Sequence, residues 1–475
     1  MGKIMRPSWR TYAAASATAF ALAFITLFVI GGSSQVVELT RSRVLGHAYS
    51  PSNGLVLLAT EDGLEAFRLD GSRAWSAEDG GRACAAAPSP DGEYVAAYVE
   101  GDVLIVRAGD GEVVKRLKAG TVCVEGAELS WGPGGDVVAG VSGMGRVVAA
   151  NTSDGYVGLS DWLGYVVEFV EWVNRTHFVV AVHKDGGADA LLFRAEPLTV
   201  VERVSISSRY FVVEGGIVSV GAGGKVIKWV PGEGTAWETS LGSGVMAADA
   251  ADGLLFTLTK DLRITAINTS DGSTAWSLRL GCGLGPSDHL QLLGTFTARD
   301  RAVGVSGTVF AENGSCTITG IYADGRNILE DARLAGAEFE GWLSDHAALL
   351  TAGEGSAILY TDTATAKPLG ALYTYVAPMP YGAIVAKHEK IADNPPTYTA
   401  SYEYMTPDGR TQPIPDIGRG NITGLTPTRA LITREKGAAL LIIGPPNPTT
   451  NLATAAALLA TGTTLAALAH KSRKT

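Results

Sequence analysis

The stretch Leu64-Glu-Ala-Phe-Arg-Leu-Asp-Gly-Ser-Arg-Ala-Trp-Ser76 returns, one residue longer, as Ile264-Thr-Ala-Ile-Asn-Thr-Ser-Asp-Gly-Ser-Thr-Ala-Trp-Ser277. Both copies carry an alternating apolar run and then Asp-Gly-Ser-x-Ala-Trp-Ser. Weaker copies stand at Gly232-Glu-Gly-Thr-Ala-Trp237 and Asp110-Gly-Glu-Val-Val114. The alternation predicts half-buried strands. Asp-Gly supplies the positive φ of a tight hairpin turn, and the dipeptide occurs eleven times. Trp75, Trp237 and Trp276 each follow such a turn, so each is expected on the next strand, covering the gap to a neighbouring unit.

Trp237 and Trp276 are 39 positions apart, and Trp75 and Trp276 are 201 apart, or five periods of about 40. A period of 40–50 residues built from short strands implies an all-β ring of four-stranded blades, a β-propeller. One blade cannot bury both of its faces alone, so blades stack around an axis. Segments can be drawn at 43–79, 80–120, 121–163, 164–205, 206–241, 242–282, 283–335, 336–372, 373–418 and 419–444. The last holds two clear strands, and Gln35–Thr40 is placed to complete it and close the ring. Allowing for half-blades and insertions, the expectation is eight blades, within a range of seven to ten. No segment reads as a long amphipathic helix.

The two ends have a different composition. Residues 1–10 carry Lys3, Arg6 and Arg10, and residues 11–32 hold no charge. That is enough apolar chain to approach a membrane span, with the basic end in the cytoplasm. A cleaved signal peptide is the competing reading, since Gly31-Gly-Ser-Ser34 offers small residues to a peptidase. Residues 445–451 form a Pro-rich linker, residues 452–469 are again uncharged, and residues 470–475 are basic. The expected topology is two terminal helices in the bilayer, both ends inside, and a propeller at 35–444 outside the cell membrane.

Five sequons agree with an extracytoplasmic body: Asn151, Asn174, Asn268, Asn313 and Asn421. Cys84, Cys123, Cys282 and Cys316 are the four cysteines. Outside the cell an even count implies disulfides. Pairing neighbours in sequence would join Cys84 to Cys123 and Cys282 to Cys316; four buried free thiols are the alternative. All 48 acidic residues lie between the two ends, and the whole chain has a net charge of −10. Such a body repels nucleic-acid phosphates, which excludes DNA and RNA as partners. Only three glutamines occur, in line with a thermophile's avoidance of labile amides.

The repeat around Ala266–Trp276 resembles that of pyrroloquinoline-quinone-like propellers. Ser89-Pro-Asp-Gly-Glu-Tyr-Val-Ala-Ala-Tyr98 is similar to the blade opening of WD-type propellers. The resemblance implies the architecture and not a function. Many quinone-like propellers hold no quinone and serve as membrane-tethered assembly scaffolds. The quinone dehydrogenases of this fold carry adjacent cysteines, and this chain has none. No HExxH, no Gly-x-Ser-x-Gly elbow, no phosphate loop and no calcium loop occurs. No cofactor, metal or catalytic residue is therefore assigned. His183 and Asp189 flank what reads as a hairpin turn.

Six of the fifteen tyrosines fall between residues 373 and 404. Tyr398, Tyr402 and Tyr404 share one face of a strand, and Tyr373 and Tyr375 share another. Aromatic rings with polar tips suit a protein or glycan contact surface; packing between blades is the other reading. The functional expectation is a membrane-anchored scaffold presenting its face to an envelope or membrane protein. The alternative is an extracytoplasmic propeller enzyme, quinone-dependent or hydrolytic, with its site in the central channel.

Overall fold

The computed structural model describes residues 34–444, except 78–80, 121, 123, 124, 143, 144, 164, 165, 185, 186, 208, 283, 285–289, 313, 354, 394 and 395. The two terminal segments proposed for the membrane lie outside the described residues. Among the described residues no helix is long and apolar enough to cross a membrane.

The strands form ten antiparallel sheets of four, each sheet one blade of a single propeller. Blades 1 to 9 span 44–76, 83–117, 128–159, 166–206, 210–240, 245–279, 291–327, 338–368 and 372–413. Blade 10 takes its inner three strands from 421–442 and its outer strand, Gln35–Thr40, from the start of the described chain. Gln35 pairs with Ile442 and Val37 with Leu440, antiparallel, so the ring is closed by the two ends of the body. The expected number of eight is corrected to ten. Each of the segments drawn from the sequence is a full blade, with no half-blade among them. One turn of helix, Ile328–Asp331, capped by the Asn327 side chain, crosses from blade 7 to blade 8.

The middle strands also differ from the half-buried expectation. Leu55–Thr60, Val137–Ser142 and Leu254–Thr259 are buried at every position. The cause is stacking. Leu55, Leu57 and Ala59 pack on Val95, Ala97 and Val99 of blade 2, while the alternate residues Val56 and Leu58 pack on Leu431 and Leu440 of blade 10. A blade thus has two core faces, and its second strand reads as a continuous apolar run rather than an alternation. At ~25 cal/mol per Å2 of apolar area, such two-sided burial is the main term holding the ring together.

In an antiparallel blade the turns between strands one and two and between strands three and four lie on one side of the ring. The turns between strands two and three, and the blade-to-blade connectors, lie on the other. We call these the turn face and the connector face. The Asp-Gly sequences at Asp70, Asp110, Asp271 and Asp408 are turns between third and fourth strands, so they stand on the turn face.

Candidate functional site

Trp75 and Trp237 sit where the repeat placed them. The Trp75 indole N–H donates to Ala108 O at 2.7 Å, and that of Trp237 to Thr269 O at 3.1 Å, each in the next blade. The rings lie against Gly111 (φ +80°) and Gly272 (φ +74°), where an added Cβ would come within 2.9 and 2.7 Å of the indole. Trp276 approaches Gly325 of blade 7 only through its Cβ, 3.6 Å from where an added Cβ would stand. A second tryptophan series was not read from the sequence. Trp131, Trp172 and Trp342, on inner strands, donate backwards to Ala87, Ser130 and Thr297 of the preceding blade. The 41-residue spacing of Trp131 and Trp172 was its signal.

The tyrosines do not form one exposed stripe. Tyr373 packs on Leu343, Leu349 and Ile358 of blade 8. Tyr375 covers Gly341 there, 2.5 Å from where a Cβ would stand. Tyr402 and Tyr404 pack toward blade 10, against the cluster of Ala430, Ile432 and Leu441. Burial pushes the Tyr375 and Tyr404 hydroxyls up to about 12. Of the five, Tyr398 alone is exposed, at 47%. The contact-surface expectation is therefore corrected for the other four, which fill the seams on either side of blade 9.

Tyr398 belongs to a different feature. Blades 7 and 9 have overlong second and third strands, Ala302–Ala311 with Gly314–Ala323 and Ala383–Asp393 with Pro396–Met405. Both hairpins project from the connector face. Near their tips stand exposed apolar side chains, Leu293 (71%) and Phe310 on blade 7 and Ile391 (62%) and Tyr398 on blade 9. Leu293 and Phe310 are diagonal neighbours on one sheet face, since Gln291 pairs with Phe310 and Leu293 with Thr308. A cleft of about 500 Å3 beside the blade 9 hairpin is lined by Lys387, His388, Lys390 and Tyr398.

Cys282 and Cys316 form a disulfide with Cα atoms 6.2 Å apart. It ties the connector leaving blade 6 to the blade 7 hairpin close to its tip, where Cys316 pairs with Val309. Cys84, buried on the inner strand of blade 2, is also disulfide-bonded; Cys123 lies outside the described residues. Asn174 and Asn421 are exposed. The Asn151 amide donates to Glu196 and that of Asn268 to Ser273, at 2.9 and 2.8 Å, and both residues are half-buried. Asn313 lies outside the described residues. Among the described residues no three His, Cys, Asp or Glu side chains gather in a cluster able to hold a metal ion.

The turn face carries many carboxylates. Hydrogen bonds from the Ser72 hydroxyl and amide hold Asp70 below the usual carboxylate range, and Ser273 does the same for Asp271. For Asp110 the Glu112 amide comes first and the Arg107 guanidinium second.

The family model of the outer membrane protein assembly factor BamB matches residues 176–338. That of the anaphase-promoting complex subunit 4 WD40 domain matches residues 47–133. No curated protein matches the chain. Among solved structures, the C-terminal WD40 domain of Sif2 is similar at 10% identity over 87% of this chain and 100% of that one, with a TM-score of 0.43. BamB from Moraxella catarrhalis is similar at 12% identity over 70% of this chain and 95% of its own, with a TM-score of 0.37. The computationally designed Ika8 protein gives 15% identity, 70% and 99% coverage, and a TM-score of 0.35. The chain is a ten-bladed propeller with PQQ-like and WD-like repeats.

Proposed function

We propose that this chain is an assembly scaffold: a propeller anchored in the cell membrane by its two ends, lying outside the cytoplasm and binding other envelope proteins through its connector face. The observation that carries the reading is the pair of overlong hairpins on blades 7 and 9, whose exposed apolar tips do not serve the blade-to-blade core. Exposed apolar groups of this kind, on a rigid support, are what protein interfaces use. The match of residues 176–338 to an outer-membrane assembly factor points to the same class of work.

The anchor rests on the charge-free stretches at 11–32 and 452–469. Two features of the body agree with it. The chain enters and leaves at one spot: the Gly444 amide donates to the Ser34 hydroxyl at 3.3 Å. That spot is on the turn face, so tethering there leaves the hairpins pointing away from the bilayer. The disulfides and the exposed sequons at Asn174 and Asn421 suit an oxidising, extracytoplasmic setting. The test is affinity capture from native membranes with the full chain and with a Leu293→Ser/Phe310→Ser/Ile391→Ser/Tyr398→Ser variant. An envelope protein captured by the first and lost by the second supports the scaffold. Equal capture by both overturns the assignment to this face. A reporter fused after Thr475 is expected in the cytoplasm; an external signal overturns the two-span anchor.

A further inference from the structure

Blade 5 has an inner strand of four residues, Tyr210–Val213, between inner strands of seven in blades 4 and 6, Val166–Trp172 and Val245–Ala251. Its first hairpin closes in two residues, with Val213 paired to Gly216. On the turn face a depression in two parts flanks blade 5, beside the end of this strand. One part, about 280 Å3, lies between blades 4 and 5 over Trp172, Val179, Ile217 and Pro231. The other, about 530 Å3, lies between blades 5 and 6. Val212 and Val213 line both parts. Val173 and Val212 are 44% and 46% exposed, so part of the apolar floor faces water.

The walls have one sign of charge. Glu171, Glu214, Glu233 and Asp252 line the two parts, all exposed. None of the four enters an ion pair among the described residues. The single cation on the lining is Lys228, which is buried and donates its Nζ to Glu214 O at 3.0 Å. Asp271, in the last turn of blade 6, stands on the same face. One other cleft has its acids offset. The cleft on the connector face between blades 10 and 1 is lined by Arg43, Arg419 and Arg434 as well as Glu125 and Glu435, with Arg43 on Glu125 at 2.5 Å.

We infer that the depression over blade 5 is a docking groove for an extended cationic peptide of a partner protein, one with apolar side chains flanked by Lys or Arg. The apolar side chains enter the floor over Val212, where burial supplies affinity. The flanking cations meet Glu171 and Glu233 on one side and Glu214 and Asp252 on the other. The unpaired carboxylates set the sign of the partner and steer its approach. The groove extends the scaffold reading by adding a second binding surface on the opposite side of the ring.

The test is fluorescence anisotropy with the full chain and two labelled hexapeptides, Lys-Lys-Leu-Phe-Lys-Lys and Glu-Glu-Leu-Phe-Glu-Glu. The first is expected to bind, with affinity falling as salt rises, and the second to show no binding. Glu171→Gln/Glu233→Gln is expected to weaken the first roughly tenfold or more, the scale of two lost charge contacts. Val212→Ser, at an exposed position that leaves the melting temperature unchanged, is expected to weaken it similarly. Tyr398→Ser on the other face is expected to leave it unchanged. Binding of both peptides alike, binding of neither, or indifference to the Glu171/Glu233 pair overturns the inference. Loss of envelope-protein capture by the hairpin variant with peptide binding intact isolates the groove from the connector-face reading, and the reverse result isolates that reading from the groove.

Discussion

The indole nitrogen of Trp237 donates to the carbonyl of Thr269 across a blade boundary, and the same bond joins Trp75 to Ala108. The ring in each pair lies flat over the glycine of the next blade's last turn. That glycine is required twice: its φ is positive, and a Cβ would strike the ring. The turn at Asp271-Gly272 thus receives a tryptophan from the preceding blade, whereas in the copy at 70–76 Gly71 meets Val37 and Trp75 is received by Gly111 of the next blade.

Replacing Trp75, 6% exposed, with alanine is expected to lower stability by about 3–5 kcal/mol. Gly272→Ala is expected to cost about 1–3 kcal/mol through its left-handed backbone and the displaced ring. Thermal unfolding of the variants beside the parent chain measures both. A melting temperature unchanged in Gly272→Ala would show that the turn relaxes around the new methyl group.

Tyr404 and Tyr398 are six residues apart on one strand yet are expected to behave oppositely. Tyr404, 4% exposed with its hydroxyl donating to Tyr381 O, should lose about 3–5 kcal/mol on change to alanine. Tyr398→Ser should stay within about 0.5 kcal/mol of the parent. The melting temperatures of the two single variants separate these outcomes.

The tyrosines also set an alkaline limit. Burial raises Tyr375 and Tyr404 from 10 to about 12. A raised pKa means that the folded state holds its proton more tightly than the unfolded one. The stabilisation is complete below pH 10 and is lost as pH rises from 10 to 12. Burial raises Tyr98, Tyr322, Tyr360 and Tyr373 as well, so absorbance at 295 nm should show a group of tyrosines ionising late, together with the loss of near-ultraviolet circular dichroism.

The Cys282–Cys316 disulfide closes a separation of 34 residues, for which chain entropy predicts about 3–4 kcal/mol of stabilisation. Cys282→Ala/Cys316→Ala should lower the melting temperature and should raise amide exchange first in the blade 7 hairpin. Uniform exchange across all blades would contradict a local staple.

The ring and its closure were legible because both depend on local pattern. Turn dipeptides and strand lengths marked each of the ten segments, and the apolar strand at Gln35–Thr40 had no other partner to complete. The number was lost by preferring the commoner ring sizes to the segments themselves. The tyrosines failed for a physical reason. Period two tells which side chains share a face of Pro396–Met405, but not whether the next blade covers that face. The groove over blade 5 was equally hidden, since its lining comes from blades 4, 5 and 6, which are separate repeats in the sequence.

The strand that closes the ring has a mechanical consequence. Gln35 and Ile442 lie side by side, antiparallel, with the chain entering at one and leaving at the other. A pull on both ends in the same direction loads the two strands equally and leaves no sliding force between them. A pull on one end alone bears directly on the Gln35–Thr40 pairing, a single strand held by one neighbour. Tension shared by both ends therefore spares the clasp, whereas tension on either end by itself tends to open the ring at blade 10.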